Sequence, residues 1–301
     1  MAITPEQAID AVNEVFGRHP GFRALHAKGT LCKGTFTASP EAAPLTRAAH
    51  MQGAEIPVTV RVSNGAGDPH HPDYMPDPRG LATKFYLPDG SRTDVVAVSS
   101  PRFPTRTPDG FIELVKAQSA GAAAAWKLPA FFARHPEALR GLPANAPTLR
   151  PPSSYALIPY YAIHAFRWIG PGGRASFVRY TWRPEVSGPG ISPWAARRRG
   201  PDYLQEELRE RLQRGPVRFR LELQLAEPGD PVDDPSAAWP KTRRRVPAGT
   251  LQIDGLETER EKDGDVLVFD PTRVTDGIEP SDDPVLRFRA AAYSASVARR
   301  T

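Results

Sequence analysis

Thirty-four of the 301 residues are proline, and where they fall limits what the chain can build. Proline locks φ and lacks an amide hydrogen, so it ends helices and is excluded from central strands. The densest stretches, Pro143–Pro159, Pro184–Pro193 and Pro228–Pro240, therefore read as long connections. Apolar residues lie within and beside them, as in ordered loops wrapped on a core. No internal repeat or clean boundary divides the chain, so residues 1–301 read as a single domain.

The segments between the prolines alternate between two periods. Thr4, Pro5 and Gln7 form a helix start with a capping box, which predicts a helix over Pro5–Phe16. β-rich alternation follows at Gly29–Ala38, Ile56–Ser63, Gly80–Leu87 and Thr93–Val98, with Asp89-Gly90 as a hairpin signal. Helices are predicted at Asp109–Gln118, Ala122–Arg134, Asp202–Arg214 and Leu286–Arg299. Further strands are predicted at Ile163–Ile169, Ser176–Trp182, Val217–Ala226, Thr250–Asp254 and Val266–Phe269. The order predicts an α+β fold: an antiparallel β-barrel of about eight strands with surrounding helices. A barrel of that size can hold one ligand in its mouth.

Charge excludes some functions. The net charge is +5 and the arginines are spread along the chain. The two densest runs, Arg197–Arg199 and Arg243–Arg245, lie in stretches that read as loops beside Pro and Trp, so no nucleic-acid face is expected. No apolar run approaches the roughly 18–20 residues that span a membrane, so no membrane span is expected. The first residues lack a signal-peptide pattern, and Cys32 is the single cysteine, so a cytoplasmic location is expected.

Four segments carry chemistry. Arg289 and Tyr293 are four residues apart with three alanines between them, which places both on one helix face. A guanidinium beside a phenol favours the phenolate, and a phenolate can ligate ferric heme; surface packing is the bland alternative. His26 precedes a strand among small residues, where a neutral imidazole can take and return a peroxide proton, or simply hydrogen-bond at a strand end. Arg61 and Ser63 face the same side of a strand. Asp77–Tyr86 is a turn feeding another strand. His19, His50, His135 and His164 have no acidic or histidine partner at metal-ligand spacing. His70 and His71 read as solvent-facing, and Glu279 and Asp283 as helix-start acids.

These segments together resemble the core of the heme catalase family, and especially its small catalase-related peroxidases. The matching residues are Arg23-x-x-His26-Ala27-Lys28-Gly29, Arg61-x-Ser63, Asp77-Pro78-Arg79-Gly80-x-Ala82-x-Lys84-Phe85-Tyr86, Phe269-Asp270-Pro271, Gly277–Leu286 and Arg289-x-x-x-Tyr293. They occur in family order over nearly the whole chain. The resemblance implies a barrel with heme b, an iron porphyrin, buried beside it. It implies that His26 works on peroxide and that Ser63 fixes its orientation. It implies Tyr293 as the iron ligand, kept ionised by Arg289. Arg23 and Arg61 match arginines that pair with heme propionates, and either Arg299 or Arg300 could be a third, with Arg300 at the expected place. Phe111 matches an aromatic lying against the heme and Phe103 a channel phenylalanine; core packing is the alternative for both.

One departure modifies the activity implied. Where the family carries a distal asparagine, the chain reads Val95-Val96-Ala97-Val98-Ser99-Ser100-Pro101, with Val98 in its place. Valine cannot donate a hydrogen bond to peroxide, although Ser99 could partly substitute. The long arm of large catalases is also absent, which implies a more open pocket and a homo-oligomer, with a dimer expected. The expectation is a peroxidase that reduces hydrogen peroxide or organic hydroperoxides with a small organic reductant, with weak catalase activity. A hydroperoxide isomerase or lyase and a non-enzymatic heme-binding protein are the alternatives.

Overall fold

Alternating strands closed into a cylinder form the centre of the molecule. The computed structural model describes residues 2–262 and 265–300. Eight strands run antiparallel: β1 (Gly29–Ala38), β2 (Glu55–Asn64), β3 (Arg79–Tyr86), β4 (Arg92–Val98), β5 (Tyr160–Ile169), β6 (Ala175–Pro184), β7 (Val217–Leu225) and β8 (Arg245–Leu256). Their order is β4-β3-β2-β1-β8-β7-β6-β5, and a β4–β5 contact at Val98↔Tyr161 closes the ring. A short ninth strand, β9 (Ile278–Pro280), adds to β5.

The barrel interior is packed with side chains, so a ligand has to lie beside it. Phe36, Val60, Phe85, Trp182, Phe219 and Ile253 come from β1, β2, β3, β6, β7 and β8 and join one buried cluster. Phe36 meets Phe85 edge-on at 5.2 Å and Trp182 at 6.0 Å. Gly249 has φ +152, and a Cβ there would lie 2.5 Å from the Phe36 ring, so glycine is what lets that ring in. Since neighbouring side chains on a strand point to opposite faces, burying Val58, Val60 and Val62 inside turns Arg61 and Ser63 outward.

The seven α-helices among the described residues lie outside the barrel: α1 (Pro5–Phe16), α2 (Pro108–Gln118), α3 (Ala124–Arg134), α4 (Pro136–Asn145), α5 (Pro193–Arg198), α6 (Tyr203–Arg214) and α7 (Pro284–Ala298). The Thr4 capping box forms as expected: Gln7 N donates to Thr4 Oγ1 at 3.3 Å, and Thr4 N donates to Gln7 Oε1 at 3.0 Å. An apolar cluster of Ala8, Val12, Ile112, Phe111 and Phe288 joins α1, α2 and α7.

Other expectations fail for identifiable reasons. Val266–Phe269 is not a strand. Its backbone is instead satisfied by side chains, with Arg23 Nη2 donating to Leu267 O at 2.7 Å and Arg273 Nη1 to Val268 O at 2.9 Å. The proline-rich stretch from Pro143 begins inside α4, where Pro143 is tolerated in the last turn. Arg197 and Arg198 belong to helix α5, with their guanidinium groups over the rings of Tyr74 and Trp194. Among the described residues no helix is long and apolar enough to cross a membrane.

Candidate active site

A cavity of about 260 Å³ lies between the outer face of β2–β5 and helices α1, α2 and α7. Eight of the residues singled out from the sequence line it: Arg23, His26, Arg61, Ser63, Phe111, Arg289, Tyr293 and Arg300. Phe103 and Val98 line it too. The rest of the wall is mostly apolar, with Ile9, Val12, Leu81, Val96, Ile163 and Phe288 among it.

His26 is held by backbone as much as by side chain. Its φ is +56, and it is one of two non-glycine residues with positive φ among those described. Residues of this size rarely adopt that region, so the surroundings must over-determine it. His26 N donates to Gly65 O at 3.0 Å and Ala27 N to Ala66 O at 3.1 Å. Asp77 fixes that stretch in turn, accepting from Gly65 N at 2.6 Å, Ala66 N at 3.1 Å and Arg79 Nη1 at 3.2 Å. The Asp77–Arg79 motif is therefore a support for the histidine. His26 Nδ1 lies 3.0 Å from Ser63 Oγ. A Cβ on Gly80 would sit 2.6 Å from that Oγ and 2.9 Å from Nδ1, so only glycine leaves room for the pair.

Burial first, and then the charges of Arg61 and Arg289, pull the His26 pKa down to about 3. The imidazole is therefore neutral at neutral pH. In the tautomer that carries its proton on Nδ1, toward Ser63 Oγ, Nε2 is a free proton acceptor.

Helix α7 supplies the opposing chemistry. Arg289 Nε donates to the Tyr293 hydroxyl at 3.0 Å, and Nη2 makes a second close bond to the same oxygen. Arg289 Nη1 reaches His164 Nε2 at 3.1 Å, and His164 Nδ1 reaches Asp283 Oδ2 at 2.6 Å. An arginine can only donate, so Nε2 accepts and the His164 proton sits on Nδ1, facing the carboxylate. Asp283 Oδ1 also caps α7, accepting from Val285 N at 2.8 Å and Leu286 N at 3.2 Å. One carboxylate thus anchors the helix that carries Tyr293 and, through His164, orients Arg289. His164 has no acidic partner at metal-ligand spacing, but it has one in the fold. The partner is 119 residues away, so no spacing rule reveals it.

The arginines are unequal. Arg61 donates to His26 O at 2.8 Å and Ala27 O at 3.0 Å. Burial, reinforced by Arg23, lowers its pKa to about 9. Arg300 lines the cavity with a buried Nε that has no partner. Burial, again reinforced by Arg23, lowers its pKa to about 10. Arg299 instead pairs with Asp10 on α1 at 2.9 Å, so Arg300 is the arginine at the cavity. This surplus of buried positive charge suits an anionic ligand.

Two further expectations are corrected. Ser99 cannot replace the missing asparagine, because its buried Oγ turns away to accept from Arg79 N at 2.9 Å. His71 is half-buried, with an unpartnered buried Nε2, whereas His70 is exposed. Among the described residues no group of three His, Cys, Asp or Glu side chains could hold a metal ion.

The family model for catalase matches residues 14–301. The chain belongs to the catalase family. A catalase-related peroxidase of Mycolicibacterium paratuberculosis is 50% identical over 299 residues, covering 99% of this chain and 95% of that protein. A catalase-related peroxidase of Synechococcus elongatus is 33% identical over 303 residues, covering 99% and 89%. Catalase A from Saccharomyces cerevisiae superposes with a TM-score of 0.81 at 22% identity, so the catalase fold is shared. That match covers 98% of this chain and 64% of the yeast chain.

Proposed function

We propose that this catalase-family chain is a heme-dependent peroxidase that reduces hydrogen peroxide or an organic hydroperoxide with a small organic reductant. The reading rests on one observation: a neutral His26 and an arginine-bonded Tyr293 face the same apolar cavity. Catalase-family proteins use heme, and the two similar proteins named above are called catalase-related peroxidases.

The residues fit heme b. The orphaned Nε of Arg300 and the buried charge of Arg61, with Arg23 beside them, suit a dianionic porphyrin edge. The apolar wall suits its ring, and a phenol oxygen with two guanidinium donors suits a ferric ion as ligand. Arg23, Arg61 and Arg300 would hold the propionates, Tyr293 the iron, and Phe111 one face of the ring. Bound there, the heme would supply the redox centre for cleaving the O–O bond.

The protein's own part is proton handling. His26 Nε2 takes the proton from one peroxide oxygen and returns it to the departing one, while Ser63 holds the ring in register. Reduction of ROOH to ROH and water consumes two electrons and two protons, which the organic reductant supplies. Val98 offers peroxide no hydrogen bond, and the loss of one preorganised donor commonly costs about 3 kcal/mol of transition-state stabilisation. Disproportionation of hydrogen peroxide should therefore be weak. One heme domain per chain, assembled as a dimer, completes the proposal.

The test is an absorption spectrum with added heme, joined to peroxide turnover. The wild type should give a ferric tyrosinate-type spectrum that collapses in Tyr293→Phe. Hydroperoxide consumption should depend on added reductant and yield the alcohol. An unchanged spectrum in Tyr293→Phe removes the central assignment. Rearranged products without reductant would mark an isomerase or lyase.

A further inference from the structure

Arg23 differs from the other cavity arginines because its guanidinium is already occupied by a carboxylate. Nη1 donates to Glu261 Oε2 at 3.2 Å, and Nη2 closes the other arm of the fork on Oε1. Among the described residues no other carboxylate is hydrogen-bonded to Arg23, Arg61 or Arg300. The Glu261 charge is also felt by Arg61 and Arg300. A two-armed carboxylate on a guanidinium is the geometry in which an arginine takes a propionate.

The backbone at Glu261 is unusual. Its φ is +57, and with His26 it completes the pair of positive-φ non-glycine residues among those described. Both lie at this cavity or on an arginine that lines it. Local contacts hold the conformation: Glu261 N donates to Asp265 Oδ2 at 3.1 Å, and Arg260 Nε donates to the same oxygen at 2.6 Å. Arg260 Nη1 further ties the segment to the Tyr86 hydroxyl at 3.1 Å. The Glu261 side chain is 26% exposed, so a released carboxylate meets water directly.

We propose that Glu261 is a resident carboxylate that competes with a heme propionate for Arg23 and thereby sets the affinity of the chain for heme. The inference rests on the reading that this cavity takes heme. Exchanging one carboxylate for another keeps the charge-assisted bonds of Arg23 and returns Glu261 to water. Only the fraction of chains with Arg23 free is competent, and the apparent affinity falls by that fraction. A glutamate that merely oriented Arg23 for the propionate would have the opposite effect when removed.

The experiment titrates ferric heme into the heme-free full chain and follows absorption, for wild type, Glu261→Gln and Glu261→Asp. Heme dimethyl ester, which lacks the carboxylates, serves as the second probe. Glu261→Gln should bind heme about tenfold more tightly, equivalent to about 1.4 kcal/mol. Glu261→Asp, whose carboxylate is one methylene short of Arg23, should change affinity in the same direction. The ester should not distinguish the variants, and in an Arg23→Gln background Glu261→Gln should change nothing. Equal or weaker heme binding by Glu261→Gln overturns the inference while leaving the heme reading intact. Failure of every form to take up heme overturns both.

Discussion

At the scale of the residue, the site depends on a histidine kept neutral. A free histidine titrates near pH 6.5, but burial and the nearby guanidinium groups of Arg61, Arg289 and Arg23 hold His26 down at about 3. The sign follows directly. Between those two values an exposed histidine would be charged while His26 is not, so Nε2 stays available as a base. Acidifying from about pH 8 to about pH 5 should therefore leave the rate of reaction with peroxide nearly flat, with any histidine-dependent acid limb below that range. A pH profile of the single-turnover rate with hydroperoxide checks this. A limb centred near pH 6.5 would show that the site does not suppress protonation. The same neutrality has a cost in stability. The unfolded chain binds the proton that folded His26 refuses, so its contribution is absent above pH 6.5 and increasingly unfavourable as pH falls toward 3.

At the scale of the element, helix α7 is where stability and chemistry meet, through Asp283. Asp283→Ala removes the acceptor for two backbone amides and leaves the buried Nδ1–H of His164 without a partner. Loss of a cap and of a buried acceptor together should cost about 2–4 kcal/mol, read from urea denaturation. Asp283→Asn keeps an oxygen for the cap but faces His164 with either an amide or a weaker acceptor. It should lose less stability while still disturbing the Arg289–Tyr293 contact. Equal losses in the two variants would mean that the cap contributes nothing. The dual role also explains what was legible. Asp283 reads as a helix-start acid and Arg289/Tyr293 as an i, i+4 pair, because both are local patterns. His164 and Glu261 join the site across 119 and 238 residues, and no local pattern encodes such a pairing. Likewise α1 was readable from Thr4, Pro5 and Gln7, whereas α4 was hidden because Pro143 looked like a breaker. The Val266–Phe269 segment has strand-forming residues, but its carbonyls bond to the side chains of Arg23 and Arg273, a pairing that no local pattern encodes.

At the scale of the whole molecule, the barrel has one weak seam. Strands β1 and β2 pair continuously from Gly29↔Ser63 to Thr37↔Glu55, whereas β4 and β5 register at Val98↔Tyr161 alone. The seam opens onto the cavity: Val96, Val98, Tyr161 and Ile163, from both of its strands, line the wall. Alternation turns these residues outward while Val95, Ala97, Tyr160 and Ala162 fill the interior. A ligand filling the cavity would brace both strands and helices α1, α2 and α7 at once. Ligand binding to the native state stabilises it by RT ln(1 + [L]/Kd), about 4 kcal/mol at a thousandfold excess over Kd. Hydrogen exchange in the heme-free protein should therefore show Val98 and Tyr161–Ile163 exchanging faster than the β1–β2 amides. Added heme should slow the seam more than it slows β1–β2, because local opening there requires losing the ligand contacts as well. Equal protection of seam and β1–β2 without heme would mean that the helices alone close the barrel. A uniform slowing on heme addition would mean that the ligand acts on global unfolding without bracing the seam.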